Sequence, residues 1–189
     1  ARGFHIDRAA VDAALVLVNA ASKDLNVELR TLTNGVVSKA TQRAQMMAWL
    51  ATEGLDLDDT QAATLDAALK HRTLSKKARR ALELMRSLGR SSTAKYTKMR
   101  EWMCPDNRLR GGLLYHGAST GRWTGKGVQP HNFPKEVLKG VAQEDLWDVL
   151  LTRDVAKVRS KYGDVLMALS HGLRGAITAT PGNQLYVAD

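Results

Sequence analysis

Thr120-Gly121-Arg122-Trp123-Thr124-Gly125-Lys126-Gly127-Val128-Gln129-Pro130-His131-Asn132-Phe133-Pro134 is the stretch on which the reading of this chain turns. Glycines and prolines are too frequent here for a helix, and the polar run closes on Asn132-Phe133-Pro134. Gly121 and Gly125 permit backbone geometries and a close approach that a side chain would block. A loop of this kind suits contact with a bulky, grooved ligand. Arg122 is its prominent cation. Taken alone, Thr-Gly-Arg favours a structural salt bridge for Arg122, so its reading depends on what flanks it.

Upstream the flank is strongly basic. From Lys70 to Arg110 there are thirteen Lys and Arg against three acids, while the remaining residues carry fifteen against sixteen. The whole net charge of +9 therefore comes from one segment. Such a local excess points to a polyanionic partner, against the plainer reading of a solvated helix face. Within it, Ser75 reads as the cap of a helix over Lys76 to Leu88, with Ala78, Leu82 and Met85 inward and Gly89 as its stop. Ser91, Ser92 and Thr93 open a further helix to about Met103. Cys104 to Asn107 reads as a turn, and Arg108 to Ser119 has β character broken by glycines.

The chain begins with an extended Arg2 to Asp7. Asp7 can cap a helix from Arg8 to about Leu32, with Val11, Leu15, Val18, Leu25 and Leu29 at helical spacing. Asn34-Gly35 supplies its left-handed stop. Thr41 is the expected cap of a helix through Glu53, buried on Met46, Met47, Trp49 and Leu50. An acidic loop and a short helix from Gln61 to about His71 follow. Downstream of the central stretch, Glu136 to Leu151 and Lys157 to about Leu173 read as two helices. Pro181-Gly182 turns into an expected strand, Gln184 to Asp189. The fold class is mainly α with a small β part (α+β).

Composition excludes several classes. With 44% hydrophobic and 25% charged residues the chain is ordinary for a globular protein. It has neither an apolar run of about 20 residues nor a basic-apolar-small start, so no membrane span or secretory leader is expected. One cysteine, Cys104, allows no internal disulfide and points to a reducing compartment. Five scattered histidines and that lone cysteine argue against a zinc site. Thiol catalysis would have His116 or His131 as partner, but Cys104-Pro105 reads as a turn, which argues against it. Ala1 in place of a starting Met suggests a processed or cut piece.

The ordered series Thr120-Gly121-Arg122, Asn132-Phe133-Pro134 and a strand ending in Asp189 resembles the DNA polymerase I family (family A) in its phage-like form. There T-G-R-[LW] and Q-N-[IL]-P elements precede the strand with the first catalytic aspartate. Here His131 stands where the family has Gln beside the Asn. The resemblance implies a helical thumb followed by the first portion of a palm, divided as a lead-in helix over 1–35, a basic DNA-binding thumb over 36–107 and a first palm segment over 108–189. Lys39, Thr41 and Arg43 would meet a DNA phosphate at a helix start, where free amides favour an anion. Arg90, Ser91, Ser92, Thr93 and Lys95 would grip the duplex through its phosphates without reading bases. Arg122 would reach minor-groove acceptors shared by every base pair and so test pair shape. Asn132 and Gln129 would support strand placement, and Arg174, in Leu173-Arg174-Gly175-Ala176-Ile177, would face nucleic-acid backbone.

Asp189 falls where the family binds Mg²⁺, in a two-metal arrangement with ions roughly 4 Å apart. The second carboxylate, the fingers helix and the rest of the palm would have to come from elsewhere. The expected partners are primer-template DNA, deoxynucleoside triphosphates in the complete enzyme and a second polypeptide. Activity of the chain alone is not expected. A split gene, an intein junction and a cut piece all remain open as origins. The expected compartment is the cytoplasm of a bacterial host or phage-infected cell. The rival, a non-enzymatic basic helical DNA-binding module, explains the charge but not the ordered motifs. A single-subunit RNA polymerase relative fits those motifs less well.

Overall fold

The computed structural model describes residues 2–71, 73–135 and 138–186. In chain order its elements are β1 (Phe4–Ile6), α1 (Arg8–Leu32), α2 (Arg43–Thr52), α3 (Ala62–Ala68), α4 (Lys76–Leu88), α5 (Ala94–Trp102), β2 (Arg108–Leu109), β3 (Leu113–Leu114), β4 (Thr124–Gly125), α6 (Gln143–Leu150), α7 (Val155–Tyr162), α8 (Val165–Gly172) and β5 (Ile177–Thr178). The fold is mainly helical with a small sheet part, as the sequence pattern indicates. Two compact units emerge: Asn19–Arg90, and Ala1–Val18 together with Ser91–Asp189. These units meet after Val18 and after Arg90 in the sequence.

In the first-named unit, the second part of α1 and the helices α2, α3 and α4 share one core. Leu29, Val37, Met46, Leu50, Leu65, Leu82 and Leu84 are buried in it. Asn34 and Gly35 stop α1 with positive φ of 51° and 85°, and the Gly35 amide returns to the Arg30 carbonyl at 2.8 Å. Thr33, fully buried, accepts from the Val37 amide at 3.1 Å and so pins the turn. Ser75 caps α4, accepting from the Ala78 amide at 3.0 Å. Thr41 is not the cap of α2. That place belongs to Gln42, whose side chain reaches back to accept from the Ser38 and Lys39 amides at 2.8 and 2.9 Å. The longer amide thus closes the preceding loop, and the helix begins at Arg43.

In the other unit β1 is the centre of a three-stranded antiparallel sheet, β2-β1-β5, with His5 opposite both Arg108 and Thr178. Asp7 caps α1, accepting from the Ala10 amide at 3.0 Å. Tyr96 of α5, which is fully buried, packs against α6 and α8. Its hydroxyl donates to the Leu169 carbonyl at 2.7 Å, and its ring meets Trp147 edge to face at 6.5 Å. Burial raises the Tyr96 phenol well above its ordinary value. The strands β3 and β4 form a separate two-stranded hairpin, pairing Leu113 with Gly125 and Leu114 with Thr124.

Three expectations need correction here. The helix expected from Glu136 starts at Gln143, and Glu136 and Val137 lie outside the described residues. Leu138 to Gly140 is a turn because buried His171 takes its backbone: the ring accepts from the Leu138 amide and reaches the Val141 carbonyl, each at 3.1 Å. The expected helix from Lys157 to Leu173 is two helices, α7 and α8. Gly163, at φ 76°, stops one, and Asp164 caps the next by accepting from the Met167 amide at 3.0 Å. The expected strand over Gln184 to Asp189 is not formed at Gln184, Leu185 or Tyr186, and Val187, Ala188 and Asp189 lie outside the described residues. Leu185 and Tyr186 are 55% and 89% exposed, so no apolar face holds them to a ladder. The strand actually present is β5, nearer the turn at Gly175.

Candidate nucleic-acid interface

The basic segment is less available than its charge suggests. Arg80 is held by Glu28 at 2.6 Å and Glu83 at 3.0 Å, and Arg86 by Asp66 at 2.7 Å. Arg79 donates to the Leu69 and His71 carbonyls, each at 2.8 Å, closing the end of α3. Arg100 pairs with Asp12, Lys98 with Glu101, and Arg110 with Asp106. Arg86 lowers the Asp66 carboxyl below its usual value, and Arg110 takes Asp106 down to about 2. These cations are engaged within the chain. Among the described residues Lys39, Arg43, Lys76, Lys77, Lys95, Arg122 and Lys126 form no ion pair.

Two of those free cations sit at a cost. Lys76 and Lys77 are the first residues of α4, where the macrodipole is positive and no acid stands in the first turn. Each position is unfavourable by about 0.3–1 kcal/mol for a cation. An incoming anion would relieve both the charge and the dipole. In the same unit Lys39, Thr41 and Arg43 are all exposed around the start of α2. Gln42 makes no side-chain cap there, so the first amides of α2 remain open to an anion. Arg90 is half-buried.

The remaining predicted residues lie in the other unit. Ser91, Ser92 and Thr93 form a 3-10 turn leading into α5. Ser91 is exposed and Lys95 half-buried. The Ser92 hydroxyl bonds that of Ser170, which ties this turn to α8 and removes one of the expected phosphate donors from solvent.

The central stretch folds onto the β3–β4 hairpin. Ala118 donates to the Arg122 carbonyl at 3.2 Å and Gly121 to the Ala118 carbonyl at 2.9 Å, with Gly121 at φ 77°. This tight turn projects Arg122, exposed, into solvent. Gly127, at φ 66°, lies flat on Trp102: a Cβ there would come within 2.6 Å of the indole. Gln129, also left-handed at φ 51°, donates to the Gly125 carbonyl at 2.7 Å and accepts from Asn132 at 3.2 Å. Gln129 and Asn132 are therefore brought together, and Asn132 remains exposed. Arg174 donates from Nε to the Pro134 carbonyl and from Nη2 to the Phe133 carbonyl, each at 3.0 Å. Its guanidinium serves the protein backbone in this structure, where nucleic-acid backbone is the expectation.

Asp189 lies outside the described residues. Among the described residues no three His, Cys, Asp or Glu converge on a point that could hold a metal ion. Sequence reasoning missed the pair Tyr115 and Trp123, whose rings meet edge to face at 5.0 Å on the hairpin. The signal was present: two aromatics flank a glycine turn in a run without acids.

The chain is similar, over all 189 residues and at 30% identity, to a DNA polymerase of Bacillus phage SP02. It spans 28% of that protein's length. No family model matches the chain, and no solved structure matches it. Among the described residues no helix is long and apolar enough to cross a membrane.

Proposed function

We propose that this chain is a duplex-gripping portion of a DNA-directed DNA polymerase. The observation that carries the reading is the similarity to a phage DNA polymerase along the chain's full length. The open cations support it, since Lys76, Lys77, Lys39 and Arg43 suit phosphates rather than bases. An enzyme that must advance along any sequence needs contacts of that kind.

In the finer form of this reading the polymerase is of family A, and the chain supplies its thumb and first palm segment. Primer-template DNA is the ligand, with deoxynucleoside triphosphates entering the complete enzyme. Arg122, exposed on a glycine turn, is suited to meet minor-groove acceptors at the primer end. Asp189 is the candidate carboxylate for Mg²⁺, and the further ligands would come from a second polypeptide carrying the fingers and remaining palm. The chain alone grips DNA and does not extend it.

The test is titration of a labelled primer-template with the purified chain at several salt concentrations, followed by an incorporation assay. Binding with a log-log slope of about −0.9 per phosphate contacted supports the reading. Failure to bind primer-template at low salt would sink it. Nucleotide incorporation by the chain alone would refute the division of labour.

A further inference from the structure

We propose that Tyr115 and Trp123 form a stacking platform for unpaired DNA bases. The proposal rests on the DNA reading above and adds to it a single-stranded ligand that phosphate contacts alone do not require.

The hairpin register creates the platform. Leu113 faces Gly125 and Leu114 faces Thr124, so Tyr115 and Trp123 are the next cross-strand pair beyond the ladder. Their rings meet at 5.0 Å and 66°, and Tyr115 also leans on His116 at 5.9 Å. Cross-strand aromatic pairs stabilise hairpins, which accounts for the contact. It does not account for the exposure, which is 71% for Tyr115 and 61% for Trp123. Leu113, half exposed, stands two residues before Tyr115 and so extends the same face of the strand. Grouped exposure of this kind marks a binding surface, whereas single exposed apolar residues do not.

Charge selects the occupant. From Asn107 to Lys135 the chain holds five Arg and Lys and no Asp or Glu. Arg110 is engaged by Asp106, but Arg122 adjoins Trp123 in sequence and Lys126 follows closely. An apolar protein surface would find no use for unopposed cations. A single strand uses both features: bases stack on the rings while phosphates meet Arg122 and Lys126. A paired duplex offers its base faces only at an end, so the platform favours an overhang.

Tryptophan emission makes the test direct. Trp49 and Trp147 are buried and Trp102 is half-buried, so Trp123 is the exposed indole of the four. Oligo-dT of about 12 nucleotides, a blunt duplex and a duplex with a 5′ overhang are titrated into the full 189-residue chain. The expected result is quenching by oligo-dT and by the overhang. Trp123→Leu should abolish the quench and weaken single-strand binding about ten-fold, with blunt-duplex affinity unchanged. Trp123→Phe keeps a ring and should retain most of the affinity, while Tyr115→Leu should weaken it with Trp123 still present as reporter. Oligo-dT and overhang binding by Trp123→Leu and Tyr115→Leu as tight as wild type would overturn the platform while blunt-duplex binding keeps the DNA reading intact. No binding to any of the three probes would overturn both. Concentration-dependent self-association through the patch, abolished by Trp123→Leu, would assign it to a second copy and overturn the proposal.

Discussion

The Arg174 guanidinium holds the backbone of Phe133: its Nη2 donates to the Phe133 carbonyl at 3.0 Å while Nε reaches the next carbonyl, Pro134, at 3.0 Å. Residues some forty positions apart are thereby fastened, and the end of the central stretch is fixed against the turn before β5. Phe133 itself is buried, so the side chain anchors what the guanidinium holds.

Arg174→Ala should lower stability by about 1 kcal/mol, the scale of charge-assisted hydrogen bonds discounted for exposure. Arg174→Lys should recover little, because an ammonium cannot present the same fork to two carbonyls. Urea unfolding midpoints check both. If Arg174 serves the protein, affinity for primer-template stays within about two-fold at equal folded fraction. A large affinity loss with unchanged stability would return Arg174 to the DNA.

Gly175→Ala should be destabilising by about 1–3 kcal/mol. A Cβ at that position would lie 2.4 Å from the Trp147 indole nitrogen and 2.6 Å from Gln143 Oε1. Trp147 is buried against Tyr96 and cannot move aside without disturbing the core of α6 and α8. Thermal melting and the near-ultraviolet signal of Trp147 report the change. A variant as stable as wild type would mean that this packing is looser than the distances indicate.

The helices were legible where stop and start signals were local. Ser75, Asp7 and Asn34-Gly35 act on their own neighbourhood, and the structure places them as their types require. The errors came where a distant partner decides. His171 draws Leu138 and Val141 into a turn from another helix, and no pattern within 136–151 encodes that. Gln42 outcompeted Thr41 because its longer side chain reaches Ser38 and Lys39. Gly163-Asp164 was readable as a break and cap, but the continuous apolar spacing masked it. For the candidate site, the sequence located the cations but could not tell Arg86, spent on Asp66, from Lys76, which is not.

Acid should erase one of the spent pairs. Arg110 depresses the Asp106 carboxyl from the ordinary 3.8 to about 2. A depressed folded-state value means that the pair's stabilisation is fully present above the ordinary value. It is lost as pH falls through about 2. Melting temperatures of wild type and Asp106→Asn should therefore differ slightly at neutral pH and converge between pH 3.8 and about 2. Because Asp106 is exposed, the difference is small. A gap that persists unchanged to the acid end would show that Asp106 acts through something other than its charge.

The division between spent and open cations has its own signature in salt dependence. Asp66 already neutralises Arg86 at 2.7 Å, so replacing both with Arg86→Gln and Asp66→Asn leaves the net charge as it was. Lys76→Gln with Lys77→Gln removes two charges from the start of α4, where the helix dipole adds to their pull on an anion. Each phosphate that is no longer neutralised should reduce the slope of log affinity against log salt by about 0.9. The lysine pair should therefore flatten the slope for primer-template DNA by up to about 2, and affinity should drop most at low salt. The Arg86–Asp66 pair should leave the slope unchanged and cost at most about 1 kcal/mol of stability, as exposed ion pairs do. If both double variants flatten the slope equally, the salt-bridged arginines release their carboxylates to meet DNA, and the ion pairs seen here are a resting arrangement rather than a division of roles.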